Sequence, residues 1–481
     1  NFFLAGICFF NSTFRLVRIR LRLIRVWVRF IATMAGYREK FRIPVRIESI
    51  LGWILLLASF AVFISFPNVN ESNGDVAGWV GYIEDYANAD GSIFFVTESR
   101  SIDENSLRRR SPEVGKPDER KAEPGWWVLW NPHHILYLPV TAFIFRIVRY
   151  FAPMLGGITF LQLWNAIAAS LTVFFLYRLL SRIIPGSPYI FPWCVLLASS
   201  VTFVHYATDG AQYPTPVLLI TIGSGSLFAF LQSHEKKYLS RSGIWFALAV
   251  LFHQLTIIIV PFIALYLWLL LRERRQNENI ARSEYWIFPL IGLGIPIVVY
   301  LIAGILALLP TGELSLTGLF KYATLYGHQE KYWSDSLAEG VVENLYSFPG
   351  LYMGNARTHS YILSRSWFLL LVLMMFALQM TTLIVSLIKK AIPSETREWV
   401  KLCVFMIFPL FIFLSLWTPG NEFYHLFLIV PVSSFIVIGI ESLRKGGIRG
   451  IIDTTIFIVW CCVIISINIP LSFSGAEFAW R

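Results

Sequence analysis

The sequence predicts an all-α polytopic membrane protein, a bundle of about eleven transmembrane helices with a long first outer loop that carries interfacial helices. Three observations predict this class. Hydrophobic residues make up 56% of the 481 residues and charged residues only 15%, which is too apolar for a soluble domain. Many apolar stretches reach the about 20 residues that cross a bilayer. Basic residues lie at the ends of these stretches, as the positive-inside rule expects.

The first 48 residues form a basic segment that we expect on the cytoplasmic side. Six arginines between Arg15 and Arg29 are interspersed with Leu, Ile, Val and Phe, a basic amphipathic pattern that suits an inner membrane surface. A second interpretation stays open, because Met34 offers a more ordinary start than Asn1. In that case residues 1–33 are upstream translation without function.

Apolar stretches of spanning length predict the helices of a transmembrane domain over residues 49–471. Single spans are expected near residues 49–66, 158–182, 189–207, 213–232, 285–309, 365–388, 400–418, 423–443 and 451–471.

A further apolar stretch, from Gly243 to Leu271, is 29 residues long, and as one helix it would extend about 43 Å. Basic residues flank both of its ends, so both ends are expected at the cytoplasm. We therefore predict a hairpin of two short arms joined near His253 and Gln254, where non-helical backbone must be buried in protein or face a wet cavity. The hairpin brings the count to about eleven and leaves the C-terminal tail, residues 472–481, outside.

The outer face then carries two long loops, residues 67–157 and 310–364, and short turns at 208–212 and 419–422. Loops longer than about 15 residues in a compact protein are usually functional or disordered. Within the first loop, Arg146 and Arg149 lie among aromatic residues, which suits a helix lying along the outer interface.

Composition and missing motifs exclude several functions. The net charge of +10 is explained by basic residues at helix ends, and no basic groove with interleaved aromatics indicates a nucleic-acid partner. All five cysteines lie in apolar stretches, so neither a disulfide framework nor a zinc site is expected from them. The sequence has no Walker A loop, GxGxxG, HExxH or GxSxG motif, which leaves nucleotide-driven, zincin and serine-hydrolase functions without support.

Two aspartates beside predicted spans are candidate site residues. Asp75 follows the first span by about nine residues, either as a solvated loop residue or as part of a site. Asp209 lies in a second outer turn. A carboxylate within the hydrocarbon costs about 2.5 to 3.5 kcal/mol and usually lines a site, an argument that holds only if Asp209 lies at that depth.

The histidines provide further candidates. His253 and Gln254 are the polar pair most embedded in apolar sequence, and they either bond a neighbouring helix or form a cavity wall. His133 and His134 have no acidic residue at metal-ligand spacing and on a helix would point about 100° apart, so no metal site is predicted there. The remaining candidates come from their placement in outer loops and turns: His328, Lys331, Arg357, Asn421 and Glu422. For the last two, a plain turn before a helix is the alternative.

Several short motifs, taken together, carry a resemblance to a known family. They are Gly-Asp-Val-Ala-Gly-Trp-Val-Gly-Tyr from Gly74, Asn-Pro-His-His-Ile-Leu-Tyr from Asn131, Leu-Trp-Asn-Ala from Leu163, Tyr-Ala-Thr-Asp from Tyr206, and Leu-Ala-Val-Leu-Phe-His-Gln-Leu from Leu248. In this order they resemble the GT-C superfamily of integral membrane glycosyltransferases, in the group that includes protein O-mannosyltransferases and aminoarabinose transferases. The likeness covers about residues 45–445.

Two departures limit what the resemblance implies. The paired acidic motif of some members is missing at Asp75, and the nearest acidic pair is Glu84 and Asp85. The acceptor-binding domain that some relatives carry after the last helix is also missing from this sequence. The reaction mechanism is therefore expected to be shared more closely than the class of acceptor.

The resemblance implies an inverting, hexosyltransferase-type enzyme in a bacterial inner membrane, with its active site facing out. The donor would be a polyprenyl-phosphate sugar, the acceptor a lipid, glycan or protein, and membrane lipids the surroundings. Asp75 would act as general base, while Asp209 would orient the acceptor or bind a possible divalent cation. A transporter or flippase of lipid-linked sugar, or a surface-polysaccharide polymerase or ligase, are the alternatives.

The remaining candidates would bind substrate. Phosphate contacts are expected from His253, His328, Lys331 and Arg357, and other substrate contacts from His133, His134, Gln254, Asn421 and Glu422.

Overall fold

The computed structural model describes residues 45–65, 76, 79–80, 83–84, 131–275, 284–309, 312–324, 333–347, 351, 392–444, 457 and 461. Over these residues the chain is helical, and the only β pairing is an isolated bridge between Trp333 and Trp417. The predicted span at 365–388 lies outside the described residues. The predicted span at 451–471 is described only at Phe457 and Cys461.

Fourteen α-helices have defined bounds within the described residues. They are α1 Val45–Ser65, α2 Tyr137–Phe151, α3 Gly157–Ile183, α4 Ile190–Ala198, α5 Val201–Thr208, α6 Pro214–Ser233, α7 Lys236–Phe252, α8 Ile259–Arg275, α9 Glu284–Gly292, α10 Gly294–Leu308, α11 Leu316–Ala323, α12 Leu337–Ser347, α13 Ser394–Leu416 and α14 Ile429–Arg444. Two 3₁₀ helices, Gln254–Ile258 and Glu422–Leu428, lead directly into α8 and α14.

Seven helical segments within the described residues are long and apolar enough to cross a membrane, and an eighth crossing results if α4 and α5 form one bent span. The protein therefore has the architecture of a multi-pass membrane protein. Its surface agrees, because α1 and α10 expose large apolar side chains such as Trp53, Leu57 and Val298. In water these faces would be unfavourable, whereas lipid solvates them.

The predicted span at 189–207 is broken rather than straight. Helices α4 and α5 meet at an angle of 56° around Ser199 and Ser200. The hydroxyl of Ser199 donates to the carbonyl of Leu196, and Ser200 adopts an extended backbone. Serine side chains that bond nearby backbone compete with helical hydrogen bonds, which accounts for a break that apolar length does not predict.

The reversal of direction predicted around His253 is present. Of the two arms, α8 with its leading 3₁₀ helix is among the seven segments long and apolar enough to cross a membrane, whereas α7, with 17 residues, is not. Helix α7 ends at Phe252, His253 is extended, and α8 returns to Arg275. At the start of α7, Lys236 Nζ lies 2.9 Å from Glu284 Oε1 at the start of α9. Since α9 begins soon after α8 ends, the two arms start and finish at the same end of the bundle. We call this the Lys236 end, and the opposite end the His253 end.

Helix α2 has the properties expected of an interfacial helix. Its 15 residues extend only about 22 Å, too short to span a bilayer. One face packs into the core through Tyr137 and Phe145, while Phe143 and Tyr150 are exposed. The predicted loop 310–364, by contrast, contains two short helices that the sequence did not predict, α11 and α12.

Candidate functional site

Three histidines meet at the His253 end of the bundle. The ring centroids of His133 and His134 lie 4.6 Å apart, those of His133 and His253 4.5 Å, and those of His134 and His253 4.9 Å. All three side chains are buried. One nitrogen from each ring lies within 4.8 Å of the other two, a spacing at which the three can hold a metal ion. We call these three residues the histidine triad.

The break in the α7–α8 hairpin explains why the triad forms. Because His253 is extended, nearby backbone groups lose their helical partners. The turn that contains His133 and His134 supplies replacements: Leu136 N–H donates to the Leu251 carbonyl at 2.9 Å, and Gln254 N–H donates to the His133 carbonyl at 2.9 Å. These two bonds place His133 and His134 directly against His253.

Local hydrogen bonds hold the turn itself. The side chain of Asn131 accepts from the His133 N–H at 2.9 Å, and its carbonyl accepts from the His134 N–H. The Tyr300 hydroxyl donates to the Pro132 carbonyl at 2.6 Å. Since residues 131–136 form turns and not a helix, the 100° separation that argued against a metal site here does not apply.

The turn from Asp209 to Tyr213 forms the second wall. The side-chain amide of Gln212 lies 2.9 Å from His134 Nε2, and the ring of Tyr213 lies 5.4 Å from that of His253. Tyr137 donates its hydroxyl proton to the Gly210 carbonyl at 2.8 Å. Asp209 itself ends helix α5, and its Oδ1 accepts from the Ala211 N–H at 2.7 Å.

Aromatic rings enclose the remaining sides. Trp417 lies 6.2 Å from His133, and Tyr424 and Phe427 of the second 3₁₀ helix lie 6.1 Å and 4.8 Å from His253. Trp79, in the first loop, lies 5.9 Å from His134. The site therefore has a buried, aromatic shell. Together with the triad, it is built from five separate parts of the chain.

Parts of the first loop pack onto this site. Val76 is buried, and a Cβ at Gly210 would lie 3.4 Å from its Cγ1. Further along, the Glu84 carboxylate accepts from the Gly157 N–H at 2.8 Å. An acidic group at this position stabilises the N-terminus of α3. The described residues of the first loop therefore pack around the triad and the N-terminus of α3.

Burial determines the charge of the site. It lowers the pKa of His133 to about 4. Burial also lowers the pKa of His134 well below its usual value, and neighbouring His133 lowers it further while the Phe252 carbonyl opposes this. Both rings are therefore neutral at pH 7 and keep a lone pair. Burial raises the pKa of Asp209 to about 8, against the opposing hydrogen bond from Ala211, so this carboxyl is mostly protonated at neutral pH.

No protein-family model matches the chain, and no curated protein matches it. The likeness to the GT-C superfamily therefore stays a prediction from the sequence motifs.

The structure brings some of the predicted site residues together and places others elsewhere. His133, His134 and His253 come together, with Asp209 in the adjoining turn. The Gln254 side chain donates instead to the Ala323 carbonyl of α11. Asn421 precedes the second 3₁₀ helix, where Glu422 begins, and its buried amide oxygen has no hydrogen-bond partner among the described residues. Four predicted residues lie outside the described residues: Asp75, His328, Lys331 and Arg357.

Several residues at the site were not predicted from the sequence, and Gln212 is the most important of them. It belongs to the turn at 208–212, whose position beside a span was the only available signal. Tyr137, Tyr213 and Trp417 look like ordinary interfacial aromatics in sequence. Only the contacts across the fold distinguish them.

Proposed function

We propose that the protein is an inverting glycosyltransferase that moves a hexosyl group from a polyprenyl-phosphate donor to an acceptor at the outer face of the membrane. One observation carries the proposal: a buried polar site lies at one end of an apolar helical bundle, beside the described residues of the first loop. The proposal takes the His253 end as the outer end.

Such an arrangement suits an amphiphilic donor. The prenyl chain would lie in a lateral groove of the apolar bundle, where it needs no polar partners. The phosphate and sugar would reach the polar site at the His253 end. Helix α2 supports this geometry, because it exposes Ile147 and Phe151 next to Arg146 and Arg149, which suit an interface with anionic headgroups.

Asp75 is the proposed general base. Its carboxylate would take the proton of the acceptor hydroxyl as that oxygen attacks the anomeric carbon of the sugar. The bond between that carbon and the phosphate oxygen breaks, and polyprenyl phosphate leaves with the bonding electrons. Val76, the residue that follows Asp75 in the sequence, packs against Gly210 in the Asp209 turn. This contact supports a base near the triad.

The remaining predicted residues are assigned to substrate binding. Asp209 would orient the acceptor or bind a divalent cation. His133, His134, Gln254, Asn421 and Glu422 would contact donor or acceptor. The departing phosphate would be stabilised by positively charged or hydrogen-bonding groups, for which His253, His328, Lys331 and Arg357 are the candidates.

A transporter or flippase of lipid-linked sugar is the second candidate, because the chain has a matched pair of interrupted helices. A 3₁₀ helix precedes Ile259-Val260-Pro261 in α8 and another precedes Ile429-Val430-Pro431 in α14. The two segments face each other through His253 and Phe427. Matched interrupted helices around a binding site are typical of transporters.

The deciding experiment begins with the lipid that copurifies with the protein, identified by mass spectrometry and then supplied as donor. Asparagine keeps the shape of aspartate but cannot take the proton, so Asp75→Asn should lower turnover by about 10² to 10⁴ while donor binding stays near wild type. Glu313→Gln, at an exposed position, is the matched control and should be fully active. Wild-type turnover in Asp75→Asn contradicts this mechanism. Movement of the lipid across vesicles without sugar transfer supports the transporter instead.

A further inference from the structure

The histidine triad has the composition and spacing of a metal site. One nitrogen from each ring lies within 4.8 Å of the other two. In a tetrahedral zinc site with Zn–N bonds of about 2.0 to 2.1 Å, ligand nitrogens lie about 3.3 Å apart. The rings therefore need to close by about 1.5 Å at most, which small side-chain rotations provide.

One buried ring nitrogen of the triad, Nε2 of His253, makes no hydrogen bond with the described residues. His253 is 0% exposed. A buried, unsatisfied polar atom costs about 1 to 3 kcal/mol. A metal ion at Nε2 would satisfy it by taking the lone pair and moving the ring proton to Nδ1. A protonated Nδ1 no longer accepts from the Leu255 N–H, but that hydrogen bond is long at 3.3 Å and so contributes little.

Gln212 is suited to support His134 as a ligand. Histidines that bind metals usually donate their other N–H to a neighbouring acceptor. Here His134 Nε2 lies 2.9 Å from the Gln212 side-chain nitrogen, while Gln212 Oε1 has no hydrogen-bond partner among the described residues. Turning the amide over brings Oε1 onto Nε2–H, which gives His134 an acceptor for this proton and leaves His134 Nδ1 for the metal. The amide NH2 then takes the place that Oε1 leaves.

From this geometry we propose that His133, His134 and His253 bind one divalent transition-metal ion, of which Zn²⁺ fits the ligands best, with Gln212 orienting His134. Neutral imidazoles favour zinc and its neighbours over magnesium or calcium, which prefer oxygen ligands. Three protein ligands leave a fourth position for water or a substrate oxygen, as in catalytic and not structural zinc sites. This metal site does not depend on the proposed transfer reaction.

The test uses the full chain in detergent with its affinity tag removed, since tag histidines bind the same ions. The protein is stripped with a chelator, loaded with Zn²⁺ or Co²⁺, desalted, and assayed for metal by mass spectrometry. We expect about one retained ion per chain and, for Co²⁺, the visible absorption of a tetrahedral site. A folded wild-type chain that retains no metal overturns the proposal.

Two variants test whether the metal is bound by the triad and not by another buried histidine. His253→Gln should lower the retained metal at least about tenfold, because two ligands remain where three are needed. His425→Gln is the matched control: His425 is also 0% exposed, but it bonds Asn344 outside the triad, and this variant should retain the ion. Equal loss in both variants, or full retention in His253→Gln, contradicts the assignment.

A third variant keeps the test decisive if His253→Gln does not fold. Gln212→Leu preserves all three ligands and should weaken metal affinity by about 10- to 100-fold. Unchanged affinity in this variant, together with a cobalt spectrum that is not tetrahedral, refutes the site. Asp75→Asn should retain the metal fully, so failure of the transfer mechanism and failure of the metal site give different results.

Discussion

At the scale of single residues, the burial of Asp209 makes the stability of the protein depend on pH. Its carboxyl is buried and has a pKa of about 8, against about 3.9 for an unfolded aspartate. Between these values the unfolded chain releases a proton that the folded protein keeps. The stability associated with this group is therefore complete below about pH 4 and lost as pH rises through about 8.

We expect Asp209→Asn to remove this part of the pH dependence. Asparagine stays neutral and its Oδ1 can still accept from the Ala211 N–H. At pH 8.5 the variant should melt at a higher temperature than wild type, by several degrees, because each pKa unit represents about 1.4 kcal/mol. At pH 5 the difference should be much smaller. Melting temperatures in detergent across this range provide the measurement.

The exposed Asp335 is the control, and Asp335→Asn should leave the melting profile unchanged. An Asp209→Asn profile parallel to wild type would contradict the buried, protonated carboxyl. Melting that rises with pH in wild type only when a divalent cation is present would instead favour Asp209 as a cation ligand, since a bound cation stabilises the ionised carboxylate.

His253 and His425 lie in similar local sequence but have different partners in the fold. Both are fully buried. His253 immediately precedes one 3₁₀ helix and His425 lies within the other, and each 3₁₀ helix leads into an Ile-Val-Pro helix. His425 bonds Asn344, whose amide also reaches the Phe411 carbonyl and the Ser415 hydroxyl, so it joins helices. His253 instead meets two other histidines. The two histidines have different partners because different elements pack against them. The 3₁₀ helix at each position does not reveal those partners.

At the scale of elements, the crossing of α12 and α13 depends on a single glycine. A Cβ at Gly340 would lie 1.7 Å from the Ser415 carbonyl oxygen, which belongs to helix backbone and cannot move aside alone. The close approach also lets the Ser334 N–H donate to the Leu416 carbonyl at 2.8 Å. Through Asn344, the same crossing supports His425.

Gly340→Ala should therefore destabilise the protein by about 1 to 3 kcal/mol or more, the cost of overpacking. Gly225→Ala in α6 is the control, because a Cβ there meets nothing within 4 Å. Alanine favours helix over glycine by about 0.5 to 1 kcal/mol, so this control should be neutral or slightly stabilising. Thermal melts of the two variants make the comparison, and equal melting temperatures would mean that α12 is not held as described.

At the scale of the whole molecule, the α7–α8 hairpin decides the topology of everything that follows it. Because Lys236 pairs with Glu284, residues before α7 and after α8 should lie on one side of the membrane. Cysteines at Ser233 and Asn277, in a background without native cysteines, should both resist a membrane-impermeant thiol reagent in intact cells and both react after lysis. A cysteine at Glu313, at the opposite end, should react from outside.

Labelling of only one of the Ser233 and Asn277 positions from outside would replace the hairpin with a single crossing. Labelling of both from outside, with Glu313 protected, would keep the hairpin and invert the protein. That second result would move the His253 end to the cytoplasm and contradict an outer-face transferase, while leaving the metal site intact.

The sequence by itself determined the class, most of the helices and the hairpin, because apolar length and flanking charge are local properties set by the bilayer. It also indicated His133, His134, His253 and Asp209 as unusual. The tertiary structure decided that the three histidines meet. The ligands come from positions 133, 134 and 253, and two backbone hydrogen bonds from the 131–136 turn to the broken hairpin join them. These two hydrogen bonds form because the helix break leaves backbone groups without helical partners. The spacing of residues along the chain does not show which other segment will supply the missing partners.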